Sequence, residues 1–343
     1  MKKFSELTQK EKSRADEINK KVVFINACDS TFVPDFNEKY FPKLMESKLT
    51  GISLTVNYQG WMSLEEVLLN FSTLYLKVES NPDKLLLVKN TADIQRAKKE
   101  GKVGVILAFQ DGRPMEYDLG LVKIFHQLGL RISGLTYQRK NYFADGCGER
   151  TDCGLSKLGV QLVEEMNRLG MVIDLTHTGE ASSLDTIEVS KDPVIFSHNC
   201  AKGIYDHFRN SSDAMLKALA KKGGVNCVGT FSPFLRKGGT QEGTTLEDTV
   251  NHIDYVANLV GVDYVGVGLD SAPDSRTPLQ ANTMAGRYPE FEWGKFEYRY
   301  AIKTISEIQY LTHGLVARGY PDADIEKILG GNLMRVFNKV WKK

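Results

Sequence analysis

The sequence predicts an α/β fold, a single (β/α)8 barrel. Three observations carry that expectation: eight short apolar runs, helix-like segments between most of them, and no glycine signature of a dinucleotide-binding sheet. In order, the runs are VVFINACD (22–29), GISLTVN (51–57), VGVILAFQ (103–110), RISGLTY (131–137), MVIDLTH (171–177), PVIFSHN (193–199), GVNCVGT (224–230) and YVGVGLDS (264–271). They are apolar throughout rather than alternating, as parallel strands covered on both faces must be. Between them, LEEVLLNFSTLYLKVES (64–80), YDLGLVKIFHQLG (117–129), SKLGVQLVEEMNRLG (156–170) and TLEDTVNHIDYVANLVG (245–261) repeat apolar residues at helical spacing. Ser156 and Thr245 suit N-caps, and Gly170 and Gly261 suit helix stops. An open doubly wound sheet is the alternative topology, but no GxGxxG opens a helix after the first run, which weakens its dinucleotide-binding version.

The 343 residues suit one barrel domain. Residues 1–21, MKKFSELTQKEKSRADEINKK, read as a charged N-terminal extension, and 22–343 as the barrel with its rim loops and C-terminal helices. No run approaches the roughly 18–20 apolar residues of a membrane span, and the first 21 residues hold no apolar signal core. As written the chain reads as cytoplasmic, or as periplasmic or exported if a signal was removed. A formal net charge of +1, from 44 Lys and Arg against 43 Asp and Glu, sets up no field for nucleic acid or an anionic membrane. A small neutral or zwitterionic partner fits that balance. Cys28, Cys147, Cys153, Cys200 and Cys227 form no CxxC pair and are odd in number, so free thiols are expected ahead of a disulfide framework.

Two adjacent runs end in a histidine, His177 and His198. An imidazole that closes a buried strand projects beyond its end, and neighbouring strands bring two such rings to one rim, so a metal site is the first hypothesis. A single histidine there is more often a satisfied core or loop residue; repetition changes that weighting. Barrel chemistry collects at the C-terminal ends of the strands. Those ends supply Asp29, Asn57, Gln110, Tyr137, His177, His198 and Asp270. The set suits a hydrolase that activates water on a metal, with the histidines as ligands and Asp270 as general base. His126, His252 and His313 lie in helical segments and read as packing or surface residues.

The segments EEMNRLGMVIDLTHTG, PVIFSHNCAKGIYDHFRN, YVGVGLDS and GGNLMRVFNKV resemble successive signatures of the renal (membrane) dipeptidase family, zinc-dependent barrel peptidases with a metal-dependent-hydrolase fold. The resemblance runs from about residue 22 to the C-terminus and is most specific between Leu135 and Asp213. LTYQRKNYFADGCGERTDCGLSKLG is similar to bacterial members. The resemblance implies a binuclear zinc centre built from a His-x-Asp pair on the first strand, a bridging glutamate on the third, and histidines on the fifth and sixth. By motif these map onto His177 and His198, and onto Asp29 with Ala27 in place of its histidine partner. Gln110 stands where the glutamate is expected. A neutral amide cannot offset the repulsion of two dications, and alanine offers no donor. The expectation is therefore a depleted centre holding one zinc ion weakly, or none, with Asp111 as a substitute reached by a register shift.

The same resemblance implies that Arg209 in DHFRN holds a substrate carboxylate and that Asp270 handles the proton of the attacking water. It puts Tyr137 where relatives carry a histidine that contacts the tetrahedral intermediate, and a homodimer among the assemblies open to the chain; Asn141, a candidate substrate-binding residue, and Asp145 share one loop and are expected to shape the pocket. Two functional expectations follow. One is a metallohydrolase of dipeptides or related small amides with a mononuclear or remodelled site; the other is a metal-free relative that binds or tailors a peptide-derived ligand. Elsewhere, FEWGKFEYRY (291–300) reads as a packed helix or lid, RKGGTQEGTT (236–245) as a mobile loop, and SRTPLQANTMAGRYPE (275–290) as a rim loop over the substrate.

Overall fold

Each of the eight apolar runs forms a strand of one parallel sheet in the computed structural model, which describes residues 3–57, 62–116, 118–238, 243–270 and 301–341. The strands are β1 (Ile25–Asp29), β2 (Gly51–Asn57), β3 (Leu85–Leu87), β4 (Val103–Phe109), β5 (Leu130–Gly134), β6 (Val172–Asp174), β7 (Ile195–Phe196), β8 (Val225–Val228) and β9 (Val265–Val267). They neighbour one another in the order β1-β2-β4-β5-β6-β7-β8-β9, and β3 pairs with β4 off that path. The ends meet where Leu269 N donates to Asn26 Oδ1 at 2.9 Å and Asp270 N donates to Cys28 O at 3.2 Å. Eight strands thus make the ring, and the open doubly wound alternative is excluded. Strand β3 was not expected: three leucines are too short a run to carry a period.

The anticipated helices form at Leu64–Glu79, Gly120–Gln127, Lys157–Leu169 and Leu246–Val260. Ser156 Oγ accepts from Gly159 N at 2.9 Å, and Gly170 stops that helix at φ 77°, a left-handed conformation that glycine adopts at least cost. Residues 9–21 belong to the charged N-terminal extension. They form a helix, Gln9–Lys21, opened by a reciprocal Thr8–Glu11 cap and docked on the helix Leu311–Ala317. Asn19 anchors the contact by donating to Gln309 O at 2.9 Å and accepting from Thr312 Oγ1 at 2.5 Å.

Outward strand residues pack under the helices, while Ile25, Ile106, Ile132, Val172, Ile195 and Val225 form a second core with the C-terminal helix Asn332–Val340. Its Phe337 stacks on Trp341 with centroids 4.2 Å apart, plugging the N-terminal end of the barrel. All five cysteines are free thiols. Among the described residues no helix is long and apolar enough to cross a membrane. The stretches 275–290 and 291–300, and residues 239–242 of RKGGTQEGTT, lie outside the described residues.

Candidate active site at the strand ends

The first strand carries a local irregularity that decides which side chain reaches the rim. Asn26 pairs with Ile52 but Asp29 with Leu54, so β1 holds one residue more than its partner between those points. Such a bulge reverses the in-and-out parity of a strand. Cys28 consequently faces the barrel mouth, where its Sγ accepts from Gln110 Nε2 at 3.2 Å. Asp29 is turned elsewhere: its carboxylate accepts from Tyr40 OH at 2.6 Å and from Thr31 N at 3.0 Å. Asp29 thus stands outside the group at the mouth, and the first-strand residue beside His198 is Cys28. Burial first, then the carboxylates of Asp270, Asp174 and Asp29, push its thiol well above the usual range. Gln110 does reach the site, but it presents its amide NH2 to Cys28 and to Thr55 Oγ1, at 3.0 Å, rather than a carboxylate.

His198 is oriented by a buried relay. The Asp174 carboxylate accepts from Thr176 N at 3.0 Å, from Ser197 N at 2.9 Å and from Ser197 Oγ. Three donors serve its ionised form, although burial raises its pKa. With the Ser197 O–H donated to Asp174, Ser197 Oγ accepts from His198 Nδ1–H across 2.7 Å. The Nε2 lone pair is thereby aimed into the mouth, 3.0 Å from Nε2 of His177. His177 is buried, its ring stacks on Tyr137 at 4.1 Å, and its Nδ1 has no hydrogen-bond partner. Burial, then Arg209 and His198, hold its pKa well below the ordinary value, so the ring is neutral near pH 7.

Asp270 completes the rim with Oδ1 3.9 Å from His198 Nε2. Glycine is required just before it, because a Cβ on Gly268 would lie 1.6 Å from Ser197 O. Both His177, at φ 71°, and Asp270, at φ 50°, sit in left-handed backbone that such residues enter only under constraint. Among the described residues, Cys28, His198 and Asp270 form a group whose ligand atoms all lie within 4.8 Å of one another.

Arg209 is buried at 2% exposure on the loop after β7. Its Nη1 donates to Asn199 Oδ1, its Nη2 lies 3.4 Å from His177 Nε2 and 3.5 Å from His198 O, and its face covers Phe234 at 5.3 Å. Its Nε has no partner, and it meets no carboxylate among the described residues. A cavity of about 460 Å³, lined by Cys147, Asp152, Glu180, Asn199 and Lys202, opens beside it. A slightly larger one, about 500 Å³, lies between Phe4, Leu246 and Tyr310, away from the histidines.

Arg209 is held through His207, whose Nδ1 accepts from Arg209 N at 3.1 Å. Burial, reinforced by Arg209, pushes His207 down to about 4 from 6.5. Between those two values the unfolded chain binds a proton that the folded chain refuses. The stability present above pH 6.5 is therefore lost as pH falls towards 4, by at most about 3 kcal/mol. His207→Asn is expected to flatten this part of the pH dependence of urea unfolding; an unchanged slope would assign the acid sensitivity elsewhere.

Asn141, expected to bind substrate, has its amide engaged within the protein. Its Nδ2 donates to Leu135 O at 2.6 Å and Asp111 Oδ1 at 3.0 Å, while its Oδ1 accepts from Phe143 N at 2.9 Å and Ala144 N at 3.2 Å. It is a loop clamp. Asp111 belongs to that clamp, accepting also from Arg113 N at 3.0 Å, and burial raises its pKa to about 7. Asp145 accepts from Cys153 N at 2.7 Å and pairs with Lys140 at 3.1 Å, tying the same loop down. His252 bonds Leu235 O and Ala201 N, each at 2.9 Å, a packing role as expected.

The family model of membrane dipeptidase, peptidase family M19, matches residues 28–286. The chain belongs to the membrane dipeptidase family. Dipeptidase verJ of Clonostachys rogersoniana is 28% identical over 280 residues, covering 81% of this chain and 66% of that protein. Dipeptidase tcpJ of Claviceps purpurea is 28% identical over 265 residues, covering 77% and 57%. The chain thus aligns with less than two thirds of the length of either curated relative. A crystal structure of an amidohydrolase from Pseudomonas aeruginosa superposes with a TM-score of 0.87 at 32% identity, covering 96% of this chain and 99% of that one.

Within this membrane dipeptidase fold, the features that sequence reasoning missed are Cys28 and the Asp174–Ser197 relay. The relay had a signal: Asp174 and Ser197 each lie two residues beyond an inward-facing residue, Val172 and Ile195, so strand parity puts both in one layer above the core.

Proposed function

We propose that the chain is a dipeptidase-type hydrolase of dipeptides or related small amides, working with one divalent cation, zinc being the expected ion, rather than a binuclear centre. The observation that carries the reading is the meeting of two imidazole Nε2 atoms 3.0 Å apart beside a buried arginine that faces no carboxylate among the described residues. Ligand atoms held at about 2.0–2.1 Å in a tetrahedral arrangement stand roughly 3.3 Å apart, which the histidine pair approaches. The relay supplies the oriented lone pair that a metal-ligating histidine needs. His177 and His198 would hold the cation. Gln110, being neutral, speaks against a second one.

When bound, a divalent cation supplies Lewis acidity. Arg209 would pair with the substrate carboxylate, its unpartnered Nε together with Nη2, now held only by long contacts of 3.4 and 3.5 Å, offering a two-pronged fork. Asp270 would take the proton of the attacking water and pass it to the leaving amine. Tyr137, packed on His177, would donate to the developing oxyanion through its phenol, a weaker aid than a cationic group. The cavity of about 460 Å³ beside Arg209 is of a size for a dipeptide.

The test is metal content per chain after purification without chelator, and again after incubation with zinc. About one tightly held ion is expected, together with dipeptide hydrolysis that chelation stops and that His198→Ala abolishes without unfolding the protein. No bound ion after reconstitution and no hydrolysis would overturn the reading. Gln110 would then favour a metal-free ligand-binding role.

A further inference from the structure

A thiol stands beside His198, and nothing in the hydrolytic reading above uses it. Cys28 Sγ lies within 4.8 Å of a ligand atom of both His198 and Asp270, and His198 Nε2 is 3.0 Å from His177 Nε2. A cation held by His198 is therefore within reach of sulfur. We propose that Cys28 is a ligand, so that the site is a thiolate–imidazole centre selective for borderline and soft divalent cations, with the Asp270 carboxylate at its edge. This rests on the hydrolase reading and specifies its metal chemistry.

Three features of the surroundings support it. First, the bulge in β1 turns Cys28 inward at the place where the strand ends, so its direction is built into the strand pairing. Second, the Gln110 amide donates to Sγ at 3.2 Å and to Thr55 Oγ1 at 3.0 Å. An N–H aimed at sulfur stabilises a thiolate, whereas a glutamate there would repel it. The neutral residue at 110 and the cysteine at 28 thus suit each other. Third, charges balance: one thiolate and one carboxylate offset a dication, which a glutamate at 110 would overshoot. On binding, the S–H bond breaks, an S–metal bond forms, and the proton leaves to buffer; no electron is transferred. Thiolate ligation favours zinc, cobalt or cadmium over magnesium, calcium or manganese.

Cobalt(II) titration of the full-length protein tests the assignment without relying on activity. The expected result is a near-ultraviolet sulfur-to-cobalt charge-transfer band that saturates with one ion. Cys28→Ser should lose the band and bind cobalt and zinc at least about 10–100-fold more weakly, the range that losses even outside the ligand sphere produce. The exposed Cys153→Ser should keep it. Circular dichroism and thermal unfolding of metal-free Cys28→Ser and Cys28→Ala guard against misfolding; if serine alone disturbs the fold, alanine gives the same reading. Cobalt bound without a Cys28-dependent band, and with unchanged affinity in both variants, would overturn the proposal while leaving a histidine-held hydrolytic cation intact. Failure of the parent protein to bind zinc or cobalt would overturn both.

Discussion

Replacing Asp270 by asparagine is expected to lower kcat for dipeptide hydrolysis by about 10²–10⁴-fold, the contribution of a positioned general base. The protein should still bind one ion, though more weakly for want of the carboxylate's charge, and its affinity for a carboxylate-bearing inhibitor should stay unchanged. The variant is well chosen physically. Asparagine keeps the shape of aspartate and tolerates left-handed backbone, so the φ of 50° at this position adds no new strain. It cannot take a proton from water. Oδ1 lies 3.9 Å from His198 Nε2, which puts the carboxylate within reach of that imidazole. A variant with parental kcat would remove Asp270 from the proton path, and one that loses its metal would make it a ligand instead.

The second large effect concerns Arg209. Two charge-assisted hydrogen bonds to a carboxylate, at about 1.5–3 kcal/mol each, correspond to a fall of roughly 10²–10⁴ in kcat/KM when the fork is removed. Arg209→Gln is expected to show that fall with free dipeptides and little change with the same dipeptides amidated at the C-terminus. Arg209→Lys should recover charge without the fork, and so only part of the rate. The amidated substrate separates recognition from general damage to the loop, which matters because Arg209 N also rests on His207 Nδ1 at 3.1 Å. If the Gln variant still prefers free carboxylates by the parental margin, the carboxylate is bound elsewhere.

The barrel was legible because buried parallel strands need uninterrupted apolar runs, and His177, His198 and Asp270 were legible because each closes such a run. Arg209 needed the family resemblance: a buried arginine and a surface one look alike in sequence. The place of Cys28 at the site was hidden for a different reason. Alternation along VVFINACD puts Ala27 and Asp29 on one side, and only pairing with β2 reveals the extra residue that brings Cys28 inward. Asn141 looked like a pocket residue because it is polar and follows a strand end, yet its four hydrogen bonds all close within the protein. The N-terminal helix was hidden by its charge. Ala15 and Ile18 are its only buried apolar residues, too few to set a visible period.

The seam between β1 and β9 gives the site a schedule as well as a shape. Cys28 and Asp270 meet where Asp270 N donates to Cys28 O at 3.2 Å, so the first and last strands of the ring supply adjoining walls of one pocket. During synthesis, residue 28 leaves the ribosome long before residue 270 exists. No nascent intermediate carries the assembled pocket, and a cation met early would find only scattered donors. On the proposed metal reading loading follows closure, and the binding energy of the ion would then act as a latch on the finished ring, adding RT ln(1 + [ion]/Kd) to its resistance to opening. Growth in metal-poor medium should therefore yield a complete but more easily unzipped barrel.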